Sequence, residues 1–176
     1  MLYVQQSLGP NEELVHIGKF HWMYTVAAFM AIVWGVIISI LIIVGAIMIY
    51  HQMGWFESGY TFLDEIRGLH PIVRIFSFII FVMGLLSFAQ MMVIKATTEI
   101  AITNNRLIYK RGLIARQVGE ISIDRIEGVN VLQSILGRLL DYGRLAIRGM
   151  GIGEVILPPI EDPIKFRQAI EKARSL

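Results

Sequence analysis

Residue types that could carry out catalysis are present in this sequence, but their spacing builds no recognised site. The glycine run 149–153 (GMGIG) has the spacing G-x-G-x-G, and the residues after it predict a strand. A phosphate-binding loop needs the free amides of a helix N-terminus, so we interpret the run as a flexible β-turn. The adjacent carboxylates at 64–65 and at 161–162 point in different directions, which does not suit acid–base catalysis on one substrate atom.

Histidine and cysteine build no site either. The chain has no cysteine, which excludes disulfides, thiolate metal sites and cysteine nucleophiles. Its histidines lack metal-ligand spacing, and none falls in residues 95–176, so no Ser-His-Asp triad can form there. They are His16, His21, His51 and His70. We therefore expect a protein that is not an enzyme and that uses neither a metal nor a cofactor.

One cluster of cationic side chains could bind a ligand. It contains Lys95, Arg106, Lys110, Arg111 and Arg116. Residues 1–94 carry three Lys/Arg against five Asp/Glu, whereas residues 95–176 carry thirteen against nine. This modest excess suits contact with anionic lipid headgroups and is too small to predict nucleic acid binding. The alternative is that these cations only set membrane topology and keep a strand face solvated.

Two uncharged runs dominate the first half of the chain, which is 55% hydrophobic overall. Residues 24–50 and 75–94 contain twenty-seven and twenty residues without a formal charge, and about 20 suffice to cross a bilayer's hydrocarbon core. A chain of this size has no soluble core able to bury both runs. Aromatic residues flank the first run, as at a membrane interface; they are Trp22, Tyr24, Tyr50, Trp55 and Phe56. We predict a transmembrane hairpin over residues 21–95, with spans at about 24–50 and 75–94.

The charges near the ends of the spans predict their orientation. The loop between the spans holds Arg67 and Arg74, whereas the terminal side holds Lys19, Lys95, Arg106, Lys110 and Arg111. The positive-inside rule then places both termini in the cytoplasm.

Small residues within the spans could let helices approach closely. They are Gly35, Ser39 and Gly45 in the first span and Gly84 and Ser87 in the second. Packing within the hairpin and self-association of two copies both remain open.

The hydrophobic pattern alternates after Lys95, which predicts strands with one buried face. Asn104-Asn105, two residues that tolerate positive φ, predict a tight hairpin between residues 98–103 and 106–111. Further strand-like runs follow, at Leu113–Val118, Glu120–Ile123, Ile126–Leu132, Tyr142–Arg148 and Glu154–Leu157. This number of strands predicts a small barrel or sandwich.

Two helices accompany these strands. Ser134 can cap a short helical turn that runs through Leu140, with Ile135, Leu136, Leu139 and Leu140 on its apolar side. Asp162-Pro163 is typical of an N-cap followed by proline at the first helical position. Phe166, Ala169, Ile170 and Ala173 then share one helical face, which predicts a C-terminal amphipathic helix that closes the domain.

Three segments of the C-terminal half resemble the bacterial pleckstrin-homology (PH) domain family of the second, membrane-flanked type. They are TTEIAITNNRLIYKRGLIARQVGEISIDRIEGV, QSILGRLLDYGRLAIRG and EDPIKFRQAI. The resemblance implies a PH-like fold over residues 96–176, a bent antiparallel sheet capped by a C-terminal helix. It also implies anchoring by the preceding transmembrane segments in a bacterial membrane.

The N-terminal segment, residues 1–20, is expected on the cytoplasmic side with this domain. Residues 8–13 predict a turn and residues 14–18 a short strand that could pair with the sheet of the PH-like domain. An interfacial helix over residues 11–20 is the competing interpretation.

These features predict a non-catalytic, membrane-anchored binding or scaffold protein at the cytoplasmic surface of the bacterial inner membrane. Membrane lipids are expected partners, together with a protein partner that the sequence does not identify and a possible homo-oligomer. The alternative is a small subunit of a transport or export assembly whose hairpin packs against partner spans.

Overall fold

The chain forms a β-rich unit and a helical unit. A computed structural model describes residues 2–56, 59, 61–112, 117–151 and 153–175. The β-rich unit contains the described residues up to Tyr24 and those from Val93 onward, and the helical unit is Thr25–Met92. The β-rich unit is therefore assembled from both ends of the chain.

The described residues form helices and strands in the following order. They are α1 (Leu2–Ser7), β1 (Leu14–Gly18), α2 (Trp22–Gln52), α3 (Phe62–Gly68), α4 (Pro71–Thr97), β2 (Glu99–Thr103), β3 (Arg106–Arg111), β4 (Gln117–Ser122), a 3-10 turn (Ile123–Arg125), β5 (Ile126–Leu132), α5 (Ile135–Leu139), β6 (Tyr142–Gly149), β7 (Gly153–Ile156), β8 (Ile160–Glu161) and α6 (Pro163–Arg174).

Helices α2 and α4 contain the two predicted spans and extend a few residues beyond them. Each is long and apolar enough to cross a membrane. Only Ala28, Gly35 and Ile47 of α2 and Ser77 and Gly84 of α4 are buried. A core helix of a soluble protein would bury a continuous apolar stripe, so this exposure is not the pattern of such a helix.

Small residues bring α2 and α4 together within the hairpin. A Cβ atom added to Gly84 would lie 2.9 Å from the Ala31 carbonyl oxygen and 3.1 Å from the Gly35 Cα. The Ser77 hydroxyl donates to the Ser39 carbonyl oxygen at 3.0 Å. By contrast, the space around Gly45 is open. The glycine contact therefore belongs to packing within one chain, and self-association remains a prediction.

Two antiparallel sheets form the β-rich unit. The strand order is β1-β2-β3-β4 in the first sheet and β5-β6-β7 in the second, where β8 also pairs with β6. Buried side chains from both sheets and from α6 form one core; they are Ile100, Ile102, Leu107, Ile121, Ile123, Ile126, Leu145, Ile147, Leu157, Ile160, Phe166, Ile170 and Ala173. The predicted combination of antiparallel β-structure with a closing C-terminal helix is confirmed.

The N-terminal segment forms a strand of the first sheet instead of an interfacial helix. In β1, Ile17 pairs with Ala101 and Gly18 with Ile100, antiparallel to β2. Helix α1, which the sequence pattern did not indicate, packs Val4 against Ala101 and Ile108 on the other face of this sheet. Helix α1 therefore covers part of this other face, at β2 and β3.

The predicted β2–β3 hairpin forms, but the physical reason given for it was wrong. Neither Asn104 nor Asn105 adopts positive φ. The buried Thr103 hydroxyl instead accepts hydrogen bonds from the amides of Asn105 (3.3 Å) and Arg106 (3.0 Å). Such a side-chain turn replaces the left-handed residues of a primed turn.

Other elements differ in detail from the sequence prediction. Strand β4 is one strand where two were expected, and residues 113–116 of the first expected run lie outside the described residues. Asp162 occupies the predicted cap position of α6 in a left-handed conformation (φ 44°), and its side chain makes no capping hydrogen bond. The carboxylate instead forms an ion pair with Lys165 at 2.8 Å.

An ion pair between Glu12 and Arg106 ties the N-terminal segment to β3. Arg106 donates to the Glu12 carboxylate at 2.9 Å and 2.7 Å, and the Thr103 hydroxyl donates to it at 2.7 Å. Only 4% of the Glu12 side chain is exposed. Burial would raise the pKa of Glu12, but the hydrogen bond from Arg106, with those from Gly9 and Thr103, outweighs burial and lowers the pKa to about 2.

We expect Glu12→Gln to destabilise the protein by about 1–3 kcal/mol, since it removes the more buried of the two carboxylates that pair with Arg106. Glu13→Gln is the matched control, because Glu13 is exposed and the change in charge is the same. Thermal unfolding in detergent at neutral pH measures the difference. Equal unfolding temperatures for the two variants would contradict a stabilising role of the ion pair.

The Glu12–Arg106 ion pair also predicts how the stability of the fold changes at low pH. Because the folded pKa of about 2 lies below the ordinary value of 4.5, Glu12 stabilises the fold above pH 4.5, and this contribution is lost as pH falls towards 2. The unfolding temperature of the wild-type protein should therefore drop more than that of Glu12→Gln between about pH 7 and about pH 3.

Gly84→Ala should loosen the helical hairpin, because the added methyl group must push α2 and α4 apart. Overpacking of this kind typically destabilises by about 1–3 kcal/mol. Gly45→Ala is the control, since a Cβ atom there has no neighbour within 4 Å. Unfolding by dodecyl sulfate in mixed micelles, followed by tryptophan fluorescence, compares the two variants. Superimposable unfolding curves for the two variants would show that the close contact at Gly84 does not stabilise the hairpin.

Candidate functional site

A cavity of about 200 Å³ lies in the β-rich unit beside the ends of the two long helices. Its walls include Tyr24 from the first turn of α2, Ile94 from the last turn of α4, and the side chains of Tyr109, Arg111 and Arg144. The segment Ile156–Pro159 completes it. The cavity thus joins two cations to apolar and aromatic walls.

Both sheets contribute to this cavity. Arg111 ends β3 in the first sheet, whereas Arg144 lies near the start of β6 in the second. The Leu157 amide donates to the Leu145 carbonyl oxygen at 2.8 Å, which fixes the following Pro158-Pro159 beside β6. Two consecutive prolines restrict the backbone and present no amide donor, so this wall is stiff and apolar.

The two arginines of the cavity keep their guanidinium groups available. Both side chains are exposed. Within the part of the chain that the structure describes, neither forms a salt bridge. A guanidinium group donates in a planar fork that matches two oxygens of a phosphate or carboxylate. The arrangement therefore offers an anion two such donor groups.

Arg106, a member of the predicted cationic cluster, is committed elsewhere. It contacts Glu12 and donates to Glu120 at 2.7 Å and to the Ser7 carbonyl oxygen at 2.7 Å. The hydrogen bond that Arg106 donates to Glu12 raises the pKa of Arg106 and outweighs the opposing effect of burial. Arg106 therefore holds the N-terminal segment in place, and its hydrogen-bond donors are already used by groups of the same chain.

Lys110 is also engaged within the fold. Its ammonium group lies 3.2 Å from Glu99 and 5.4 Å from the centre of the Tyr3 ring. Burial alone would raise the pKa of Glu99, but the amides of Val4 and Tyr3 and the Lys110 ammonium lower it. Lys110 and Glu99 together hold α1 on the first sheet.

The remaining members of the predicted cluster fall in different places. Lys95 lies in the last turn of α4, and Arg116 lies outside the described residues. Of the four predicted cations that the structure describes, only Arg111 lines the cavity. Its partner Arg144 was missed because nothing local in the sequence shows that β6 lies beside the end of β3. Strand alternation would have placed Arg144 on a face with Tyr142, away from the buried Leu145.

The glycine run 149–153 connects β6 to β7. Gly149 pairs with Gly153, and both Gly151 and Gly153 have positive φ, at 77° and 79°. This geometry confirms the interpretation as a turn between strands. The histidines are likewise scattered, and among the residues with assigned structure no group of three possible metal ligands comes together.

Comparison with known proteins gives one match. The family model described as "Bacterial PH domain" matches residues 65–174, which is more than half of the chain. Neither the curated proteins nor the solved structures gave a significant match. The matched region contains α4, all strands from β2 onward and α6, and it leaves out β1 and α2.

Proposed function

The chain belongs to the bacterial PH domain family, and we propose that it is a non-catalytic, membrane-anchored module whose PH-like domain binds anionic lipid headgroups at the cytoplasmic surface. PH domains are generally binding modules rather than enzymes. The observation that carries the proposal is the cavity in which Arg111 and Arg144 face an anion-sized space beside Tyr24 and Ile94.

The composition and exposure of α2 and α4 support the proposed membrane anchoring. Large apolar side chains are exposed along both helices; examples are Phe29, Trp34, Leu41, Phe78 and Leu86. Contact of so many such groups with water would be unfavourable by about 25 cal/mol for each Å² of apolar surface, whereas hydrocarbon chains solvate them. Two crossings then put both ends of the chain on one side of the membrane, and the charge asymmetry favours the cytoplasmic side.

The chemistry of the cavity fits a phosphate-bearing headgroup. Tyr24 and Ile94 belong to the terminal turns of the helices proposed to span the bilayer, so the cavity lies at the depth of the headgroups. Anionic lipids give the cytoplasmic leaflet a negative potential that attracts Lys and Arg by about 1 kcal/mol for each group near the surface. The two guanidinium groups add directional hydrogen bonds to this attraction.

In the alternative function, as a subunit of an assembly, the surfaces of α2 and α4 would pack against partner spans. Gly35 and Gly84 already contact each other within the hairpin, which removes them as a contact for partner spans. A protein partner and a homo-oligomer therefore remain predictions. Under both functions the hairpin lies in the membrane, and they differ in whether the cavity binds lipid.

Replacing the cavity arginines should weaken headgroup binding. We expect Arg111→Gln and Arg144→Gln each to lower the affinity for a short-chain phosphatidylglycerol about tenfold, since each removes one charge-assisted contact. Arg148→Gln is the matched control, because Arg148 is an exposed arginine four residues further along the same strand. Titration calorimetry of the full-length protein in a zwitterionic detergent measures the three affinities. An affinity unchanged by both cavity substitutions would refute the headgroup site.

The absence of cysteine allows a direct test of membrane topology. Thr61→Cys, in the segment between α2 and α4, should react with a membrane-impermeant thiol reagent added to intact cells. Gln168→Cys, an exposed position on α6, should react only after the cells are opened. Labelling of both positions, or of Gln168→Cys alone, in intact cells would contradict the proposed orientation.

A further inference from the structure

Helix α5 and the end of β5 form an exposed aliphatic loop on the β-rich unit. The exposed fractions are 52% for Leu132, 89% for Ile135, 58% for Leu136 and 79% for Leu139. The sequence pattern predicted the apolar side of a helical turn here, and an apolar side normally faces the core. In this structure it faces outward, and an exposed patch of this kind marks an interaction surface.

The backbone of this aliphatic loop is fixed by specific hydrogen bonds. The Gly137 amide donates to the Ser134 hydroxyl oxygen at 3.0 Å, as the predicted cap requires. The Gln133 side-chain amide donates to the Tyr142 carbonyl oxygen at 3.2 Å. A Cβ atom at Gly137 would lie 2.6 Å from that same oxygen, so only glycine permits the close approach. A defined loop conformation therefore holds the aliphatic side chains outward, and their exposure does not result from poor packing.

A chain of contacts connects this loop to the start of α2. Gly137 lies against the backbone of Tyr142, and the Tyr142 ring stacks on His21 with centroids 5.0 Å apart and planes inclined by 22°. The buried His21 donates its amide to the Pro159 carbonyl oxygen at 3.4 Å and directly precedes Trp22, the first residue of α2. The base of the loop is thus next to the place where the first long helix leaves the β-rich unit.

We propose that the aliphatic loop, residues 132–139, inserts its side chains into the interfacial layer of the bilayer that α2 and α4 cross; this rests on the membrane anchoring proposed above. Leu139 is three residues from Tyr142, a reach of about 10 Å at most. The polar layer on each side of the hydrocarbon core is about 5–8 Å thick. A loop rooted at the helix start can therefore reach the boundary between headgroups and acyl chains.

The charges around the loop favour a lipid surface as its occupant. Arg138 lies within α5, and Arg144 follows on β6, so cations flank the aliphatic side chains. The acidic residue between them is Asp141, which belongs to a left-handed turn (φ 58°) at the base. Aliphatic side chains next to arginines are the composition of segments that lie in an anionic membrane interface.

Site-directed spin labelling tests the insertion in the full-length chain, because a protein without cysteine needs only one substitution for each label. Leu139→Cys carries the test label. Glu171→Cys, exposed on α6, is the aqueous control, and Ile40→Cys, exposed on α2, is the membrane control. The labelled proteins are reconstituted into vesicles of phosphatidylcholine with phosphatidylglycerol. Collision rates with oxygen, which concentrates in lipid, and with a water-soluble nickel complex are then measured.

The ratio of oxygen to nickel collisions should be several-fold higher at Leu139→Cys than at Glu171→Cys, and lower than at Ile40→Cys. A ratio at Leu139→Cys equal to that of the aqueous control, with a high ratio at Ile40→Cys, would overturn the loop insertion and leave the anchoring intact. A low ratio at Ile40→Cys would instead overturn the anchoring itself. Protection of Leu139→Cys from both reagents would show that a protein surface, such as a second copy of the chain, covers the loop, and would also overturn the proposal.

Discussion

The pairing of β1 with β2 is the contact on which the rest of the structure depends. Gly18 lies opposite Ile100 although both long helices come between them in the sequence. Since paired strands lie about 5 Å apart, the start of α2 and the end of α4 must leave the β-rich unit close together. A helical insertion can meet this condition only if it returns to its starting side, which a two-helix hairpin does. The Glu12–Arg106 ion pair holds the N-terminal segment in place and so supports this geometry.

Strand alternation determines which cations of β3 remain available for a ligand. Arg106 and Lys110 share one face of the strand with Ile108, and there they meet Glu12, Glu99 and α1. Tyr109 and Arg111 lie on the opposite face, where the cavity is. Because three ion pairs neutralise the first face, the cations available to an anion lie on the second. A count of Lys and Arg along the sequence does not distinguish the two faces, so it overestimates the number of cations that are available to bind an anion.

Elements with strong local patterns could be predicted from the sequence, whereas contacts between distant segments could not. The two apolar helices, the Ser134 cap and the buried face of α6 all follow from periodicity and local capping chemistry. The position of the β2–β3 hairpin follows from strand alternation, but its turn through Thr103 does not. Helix α1 is too short to show periodicity, and its position depends on Glu99 accepting its first amides. Arg144 joins the candidate site only because the second sheet brings it to Arg111. The outward direction of α5 was unpredictable because an apolar pattern does not distinguish a buried face from an exposed one.

A shallow site with two arginines can suffice for lipid binding when the domain is tethered to its ligand. A soluble PH domain must leave the solution to bind a lipid in the membrane, so it needs enough contacts to offset the translational freedom that it loses. If the proposed function is correct, the helices hold the cavity at the headgroup layer, so that binding is effectively intramolecular and a weak contact is occupied at the high local lipid concentration. Insertion of the aliphatic loop, as proposed above, would add a second point of attachment. Two such attachments would restrict rotation of the β-rich unit and would keep the Arg111–Arg144 cavity facing the headgroups without a deep pocket.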